Sequence, residues 1–135
     1  MKTVLFVCVH NSGRSQMAEA FFNHLAGGKA MAISAGTHPS DAVNPIVIEV
    51  MREMGIEISS NKPKHLTDEM LDTADRVVSM GCGVEGLCPA AFVETEDWQI
   101  EDPKDKSLEE VRRIRDEIRA KIVDLLARAG FCEPC

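Results

Sequence analysis

An α/β fold, a parallel sheet with helices on both faces, is predicted for this chain from three observations. Apolar, β-prone runs alternate with stretches of helical periodicity, which is the order of βαβ units. The first run, residues 3–9, is apolar almost throughout, as a strand buried on both faces has to be. With 135 residues and 44% hydrophobic content the chain can fill one core but is too short for two ordinary domains, so a single domain over residues 1–135 is expected.

Each element has its own signal. After the first strand, Met17, Phe21 and Leu25 recur at helical spacing from about Ser15, and Gly27-Gly28 supplies the stop. A second strand fits residues 30–35 and is closed by Gly36. Asn44-Pro45 reads as an N-cap followed by proline at the first helical position, with Val47, Val50, Met51 and Met54 as the buried stripe before Gly55. Residues 56–65 read as loop, and Thr67 caps a short helix carrying Met70 and Leu71. A third strand is predicted over residues 76–80. Residues 81–98 hold two cysteines and three glycines with little periodicity, apart from a short fourth strand expected at residues 91–93. Ser107 to Glu110 matches a capping box, and Leu108, Val111, Ile118, Ile122 and Leu125 carry a helical face toward Gly130.

Composition excludes several functions. A formal charge of −7 repels nucleic acid and anionic lipid, and no tyrosine, one tryptophan and five phenylalanines leave no stripe for stacking bases. Neither nucleic acid nor membrane is an expected partner. The apolar stretch before the polar residues at 10–13 is too short for a signal peptide or a membrane span, so a cytoplasmic location is expected. Five cysteines, an odd number in a chain expected to stay in the cytoplasm, favour reactive thiols over a disulfide framework.

The chemistry gathers between the first strand and the first helix. There Cys8, Val9, His10, Asn11, Ser12, Gly13, Arg14 and Ser15 form a loop able to aim backbone N–H groups at one anion. The helix N-terminus and Arg14 both favour a thiolate at Cys8, which makes it the candidate nucleophile. Arg14 offers a planar, two-pronged donor suited to a tetrahedral oxyanion. Ser15 is placed to donate to the thiolate, and His10 reads as loop surface. A leaving oxygen needs a proton, and Asp102, stiffened by Pro103, is the candidate general acid.

Taken together, the loop from Cys8 to Ser15, the Ser34-Ala-Gly36 string, residues 77–82 and residues 98–103 resemble the low-molecular-weight tyrosine phosphatase superfamily, specifically its arsenate reductase branch. The resemblance implies a four-stranded parallel sheet, a nucleophile at Cys8, anion binding by Arg14 and acid catalysis by Asp102. Two features separate the branches. The phosphatases usually follow their Asp-Pro with aromatic residues and often carry a second cysteine before the loop arginine, whereas here Lys104-Asp105-Lys106 follows and Gly13 stands in that place. Cysteines after the third strand, as at Cys82 and Cys88, mark the reductases.

By that resemblance, Cys8 attacks arsenate, Cys82 attacks the Cys8 sulfur to release arsenite, and Cys88 takes the oxidation onward for a reductant. Thioredoxin is the expected donor, with glutaredoxin or a low-molecular-weight thiol as alternatives. Cys82 and Cys88 also fit plain loop thiols or half of a zinc site, and Cys132 and Cys135 read as a frayed tail, with electron relay or metal chelation with another chain as alternatives. Asn11, Glu19 and Ser34 match part of a potassium site of some members. Lys64 stands where an acidic ligand is expected, so its ammonium is expected to replace the ion, with no obligatory metal or cofactor. Two other functions compete: a phosphatase acting on phosphotyrosine or a small phosphate ester, and a non-catalytic arsenic- or metal-sensing thiol module.

Overall fold

A computed structural model describes residues 2–80 and 95–129. Its elements are β1 (Lys2–Cys8), α1 (Arg14–Leu25), β2 (Ala30–Gly36), α2 (Pro45–Arg52), α3 (Asp68–Thr73), β3 (Arg76–Ser79), β4 (Thr95–Asp97) and α4 (Leu108–Ala129). The strands make one parallel sheet in the order β2-β1-β3-β4, with Cys8 level with Gly36 on one side and Val7 level with Ser79 on the other. The fold class and the four-stranded count are those expected. The strand expected at residues 91–93 lies outside the described residues, and the described fourth strand is Thr95–Asp97.

Alternation along β1 divides the interior in two. Val4, Phe6 and Cys8 point into the larger core, among Met17, Phe21 and Phe22 of α1, Val47, Val50 and Met51 of α2, and Ile114, Ile118, Ile122 and Leu125 of α4. Leu5 and Val7 point to the other face, where Val77, Ala35, Leu66 and Ala74 form a smaller core beneath Met70 and Leu71 of α3. Phe6 sits at the centre of the larger layer, with ring centroids 6.0 Å from Phe22 and 5.8 Å from Trp98. Burying one such ring contributes roughly 1.5–3 kcal/mol. The parity of β1 therefore sends the Cys8 side chain toward α1 and α4.

The caps follow the sequence closely. Asn44 Oδ1 accepts from Ile46 N at 2.9 Å with Pro45 at the first helical position, and Thr67 Oγ1 accepts from Met70 N at 3.2 Å. Ser107 and Glu110 close the expected capping box. Two stripe residues depart from expectation. Met54 is exposed because α2 stops at Arg52 and the chain turns through Gly55 at φ 78°, and Leu108 is exposed because it is the first residue of α4, ahead of the buried face. Arg115, buried on α4, donates to the Val50 carbonyl at 3.0 Å and to Glu53 at 2.8 Å, satisfying the end of α2 and locking the two helices together. No helix among the described residues is long and apolar enough to cross a membrane.

Candidate active site

Cys8 ends β1 and Arg14 begins α1, so residues 9–13 must reverse the chain in one short loop. Residues 37–44 shape it by running alongside. The N–H groups of Thr37, His38, Ser40 and Asn44 donate to the carbonyls of Cys8, Val9, His10 and Ser12 at 3.1, 2.8, 3.0 and 2.9 Å. In a trans peptide the C=O and the following N–H point opposite ways. Turning those four carbonyls outward therefore turns the N–H groups of Val9, His10, Asn11 and Gly13 inward, the concave shape that binds anions.

Asn11 carries this turn. Its φ of 51° lies in the left-handed region that asparagine tolerates better than most residues, and its N–H reaches Cys8 Sγ at 3.2 Å. Two glycines let other segments close on the loop. A Cβ on Gly36 would stand 2.6 Å from the Val9 carbonyl oxygen, and one on Gly13 would stand 2.7 Å from Cγ of Pro103.

A buried polar network fixes the sulfur. Asn11 Nδ2 donates to Ser15 Oγ at 2.7 Å and to Ser34 Oγ at 3.0 Å, while Asn11 Oδ1 accepts from Lys64 N at 2.8 Å and Gln16 Nε2 at 3.1 Å. The Lys64 N–H demands an acceptor, which assigns the amide orientation. Ser15 Oγ, which accepts from Asn11, lies 2.9 Å from Cys8 Sγ, and once Cys8 is a thiolate the hydroxyl is the one partner of this pair with a proton to donate. Two donors thus face one buried sulfur, the arrangement that holds a thiolate. Ser34 passes its proton to Glu19 Oε1 at 2.7 Å, and Lys64 Nζ lies 3.8 Å from the same oxygen.

The arginine and the carboxylate meet at the mouth. Arg14 is 7% exposed; its Nη1 donates to the Ile100 carbonyl at 3.2 Å, and its Nη2 lies 3.6 Å from Asp102 Oδ2. Asp102 Oδ1 accepts from Lys104 N at 3.0 Å, so the carboxylate is half fixed by its own turn and keeps 45% of its side chain exposed. Behind it, Glu101 is gripped by Lys106 at 2.9 Å and Arg113 at 3.0 Å. Those two partners, chiefly the Lys106 hydrogen bond, hold the Glu101 carboxyl below its usual range, and Glu101 in turn raises Lys106.

Of the sequence candidates, Cys8, Asn11 and Ser15 share one hydrogen-bond network, and Arg14, next to Ser15 at the start of α1, pairs with Asp102. His10 is half-buried at the rim, its Nδ1 3.2 Å from the His38 carbonyl oxygen. Cys82, Cys88, Cys132 and Cys135 lie outside the described residues. Two participants were not anticipated. Residues 37–44 act through backbone N–H groups, which no residue type announces, and Gln16 is a polar residue that nothing in the sequence sets apart from others on the helix. Chemically, inward-facing N–H groups, a buried sulfur and a guanidinium at the start of α1 can take a tetrahedral oxyanion.

The chain has relatives among known proteins. The family described as low molecular weight phosphotyrosine protein phosphatase matches residues 3–130. A glutaredoxin arsenate reductase from Synechocystis sp. is 41% identical over 132 residues, 95% of this chain and 98% of that one. A solved arsenate reductase in a phosphate-binding state superposes with a TM-score of 0.85 at 41% identity, over 95% of this chain and 98% of that one. A thioredoxin-dependent arsenate reductase from Corynebacterium glutamicum gives a TM-score of 0.78 at 37% identity, over 95% of this chain and 61% of that one.

Proposed function

The chain belongs to the low molecular weight phosphotyrosine protein phosphatase family, and on that premise we propose that it reduces arsenate to arsenite. The observation that carries the proposal is the buried Cys8 sulfur facing two hydrogen-bond donors beside the Arg14–Asp102 pair, in a chain about as close to proteins named arsenate reductases as 41% identity over nearly its full length. Cys8 attacks the arsenic(V) of bound arsenate. Arg14 and the N–H groups of the loop hold the oxygens, and Asp102 protonates a departing hydroxyl, which leaves as water. Cys82 then attacks the Cys8 sulfur. The electron pair of the sulfur–arsenic bond leaves with arsenic, now arsenic(III) as arsenite, and a Cys8–Cys82 disulfide remains.

The order of the sequence supports Cys82 as the second thiol: β3 lies beside β1 in the sheet with Ser79 level with Val7, Met80 donates to the Val7 carbonyl at 2.7 Å, and Cys82 follows two positions later in the sequence. Cys88 attacks Cys82 next, freeing Cys8, and a dithiol donor of the thioredoxin type reduces the Cys82–Cys88 pair. One relative is named a glutaredoxin arsenate reductase and one solved neighbour a thioredoxin-dependent arsenate reductase.

Arsenite release measured with thioredoxin, glutaredoxin and a low-molecular-weight thiol, beside phosphate release from a model ester, tests this reading. Donor-dependent arsenite is expected, abolished in Cys8→Ser and limited to one turnover or fewer in Cys82→Ser. Absence of arsenite with every donor overturns it. Phosphate release that survives Cys82→Ser supports the second reading, a phosphate-ester phosphatase, which Cys8, Arg14 and Asp102 alone would serve.

A further inference from the structure

Both donors to the Cys8 sulfur depend on Asn11. One is its own N–H, and the other is the Ser15 hydroxyl, whose oxygen is held by Asn11 Nδ2 and whose proton a Cys8 thiolate accepts. Asn11 must hold a left-handed backbone for this, and the side chain that grips it is Gln16, fully buried on the first turn of α1. Gln16 Nε2 shares its two protons among the Asn11 carbonyl oxygen at 3.2 Å, Asn11 Oδ1 at 3.1 Å and the Lys62 carbonyl oxygen at 3.4 Å. Its Oε1 accepts from Asn61 Nδ2 at 3.2 Å. One amide thus ties the nucleophile loop to residues 61–64.

We propose that Gln16 is a positioning residue for the Cys8 thiolate, acting through Asn11. Gln16 does not touch the sulfur. It sets the peptide plane whose N–H points at Cys8 and the carboxamide that orients Ser15, so its loss weakens two thiolate donors at once while leaving the core packed around Met17 and Phe21 intact. The inference rests on the reading of Cys8 as the nucleophile, and not on arsenate as substrate.

Alkylation of Cys8 by iodoacetamide, followed across pH in the full-length chain by peptide-resolved mass spectrometry, reads the sulfur with no substrate present. In Gln16→Met, which keeps length and loses the N–H groups, the midpoint of the pH profile is expected to rise. Cys8 alkylation on the acid side should fall about 3- to 10-fold, the worth of weakening a hydrogen bond to a charged group. Asn61→Ala, at the partly exposed end of the contact, keeps the chain folded and should move the midpoint the same way by less. A Gln16→Met chain that melts earlier but shows an unmoved profile has lost only structure, and overturns the proposal. If Gln16→Met does not fold, an unmoved profile in Asn61→Ala overturns it. Failure of arsenite formation in the unsubstituted chain leaves this readout untouched, so the two readings fail separately.

Discussion

Lys64 is a single residue whose placement changes how the loop is supported. Its backbone N–H holds Asn11 Oδ1, and its ammonium stands 3.8 Å from the Glu19 carboxylate that accepts from Ser34. The positive charge thus lies at the end of a chain of hydrogen bonds running from Cys8 through Ser15, Asn11 and Ser34 to Glu19. We propose that this tethered cation takes the place of a free one. Turnover is accordingly expected to be the same in potassium and in sodium buffers. In Lys64→Asp the Glu19 oxygens lose their cation and gain a like charge, so turnover should fall several-fold and recover in part when potassium is supplied. Steady-state rates in matched potassium and sodium salts check this, and a Lys64→Asp chain indifferent to the cation would contradict it. These contacts also show why the site was only partly legible. Cys8, Arg14 and Ser15 lie in one short stretch between a strand and a helix and are chemically distinctive, so the sequence announces them. Gln16 has the same polar character as any solvent-facing helix position, and only the fold reveals that it is buried.

Elements were legible where side-chain pattern decides them. The caps at Asn44, Thr67 and Ser107 place helix starts to the residue, because each cap is a side-chain oxygen meeting a backbone N–H. Met54 and Leu108 misled because a stripe says nothing about where a helix ends. That residues 37–44 run beside the nucleophile loop was invisible because those contacts are made by main-chain N–H groups. The loop bearing Asp102 is likewise placed by an element, since Glu101 bridges Lys106 within the loop and Arg113 on α4. Glu101→Gln is expected to cut the acid-assisted step about 3- to 10-fold, because a displaced donor forfeits alignment, with little change in melting temperature. Single-turnover arsenite release measures it, and an unchanged rate would sink the idea. The pH window has a definite sign. Glu101 is held below its usual carboxyl range, so its clamp is intact at neutral pH and lost as the pH falls through that lowered value; Lys106 is raised, so its half persists at all lower pH and is lost only as the pH climbs above the ordinary lysine range. Any rate change between pH 5 and 9 therefore arises elsewhere.

At the scale of the whole molecule, the loop is a junction of nearly every element. It continues β1, begins α1, is bonded along its outer edge to residues 37–44, meets residues 61–64 through Asn11 and Gln16, and touches the Asp102 loop through Arg14 and Gly13. An oxyanion seated there binds the folded chain and has nothing to bind in the unfolded one. Linkage then makes the ligand a global stabiliser by RT ln(1 + [L]/Kd), about 2.7 kcal/mol at one hundred times Kd. For a chain of this length that corresponds to a rise of roughly 6–14 °C in melting temperature. Inorganic phosphate and arsenate are both expected to produce it, since both are tetrahedral anions of similar charge. Cys8→Ser keeps the N–H groups and Arg14, so the phosphate shift should survive while turnover does not. Arg14→Ala removes the two-pronged donor and leaves Asp102 facing the anion unopposed, so most of the shift should vanish. Thermal melts of the three chains against phosphate concentration separate binding from chemistry. A phosphate shift retained in Arg14→Ala would mean that the anion is held somewhere other than this loop.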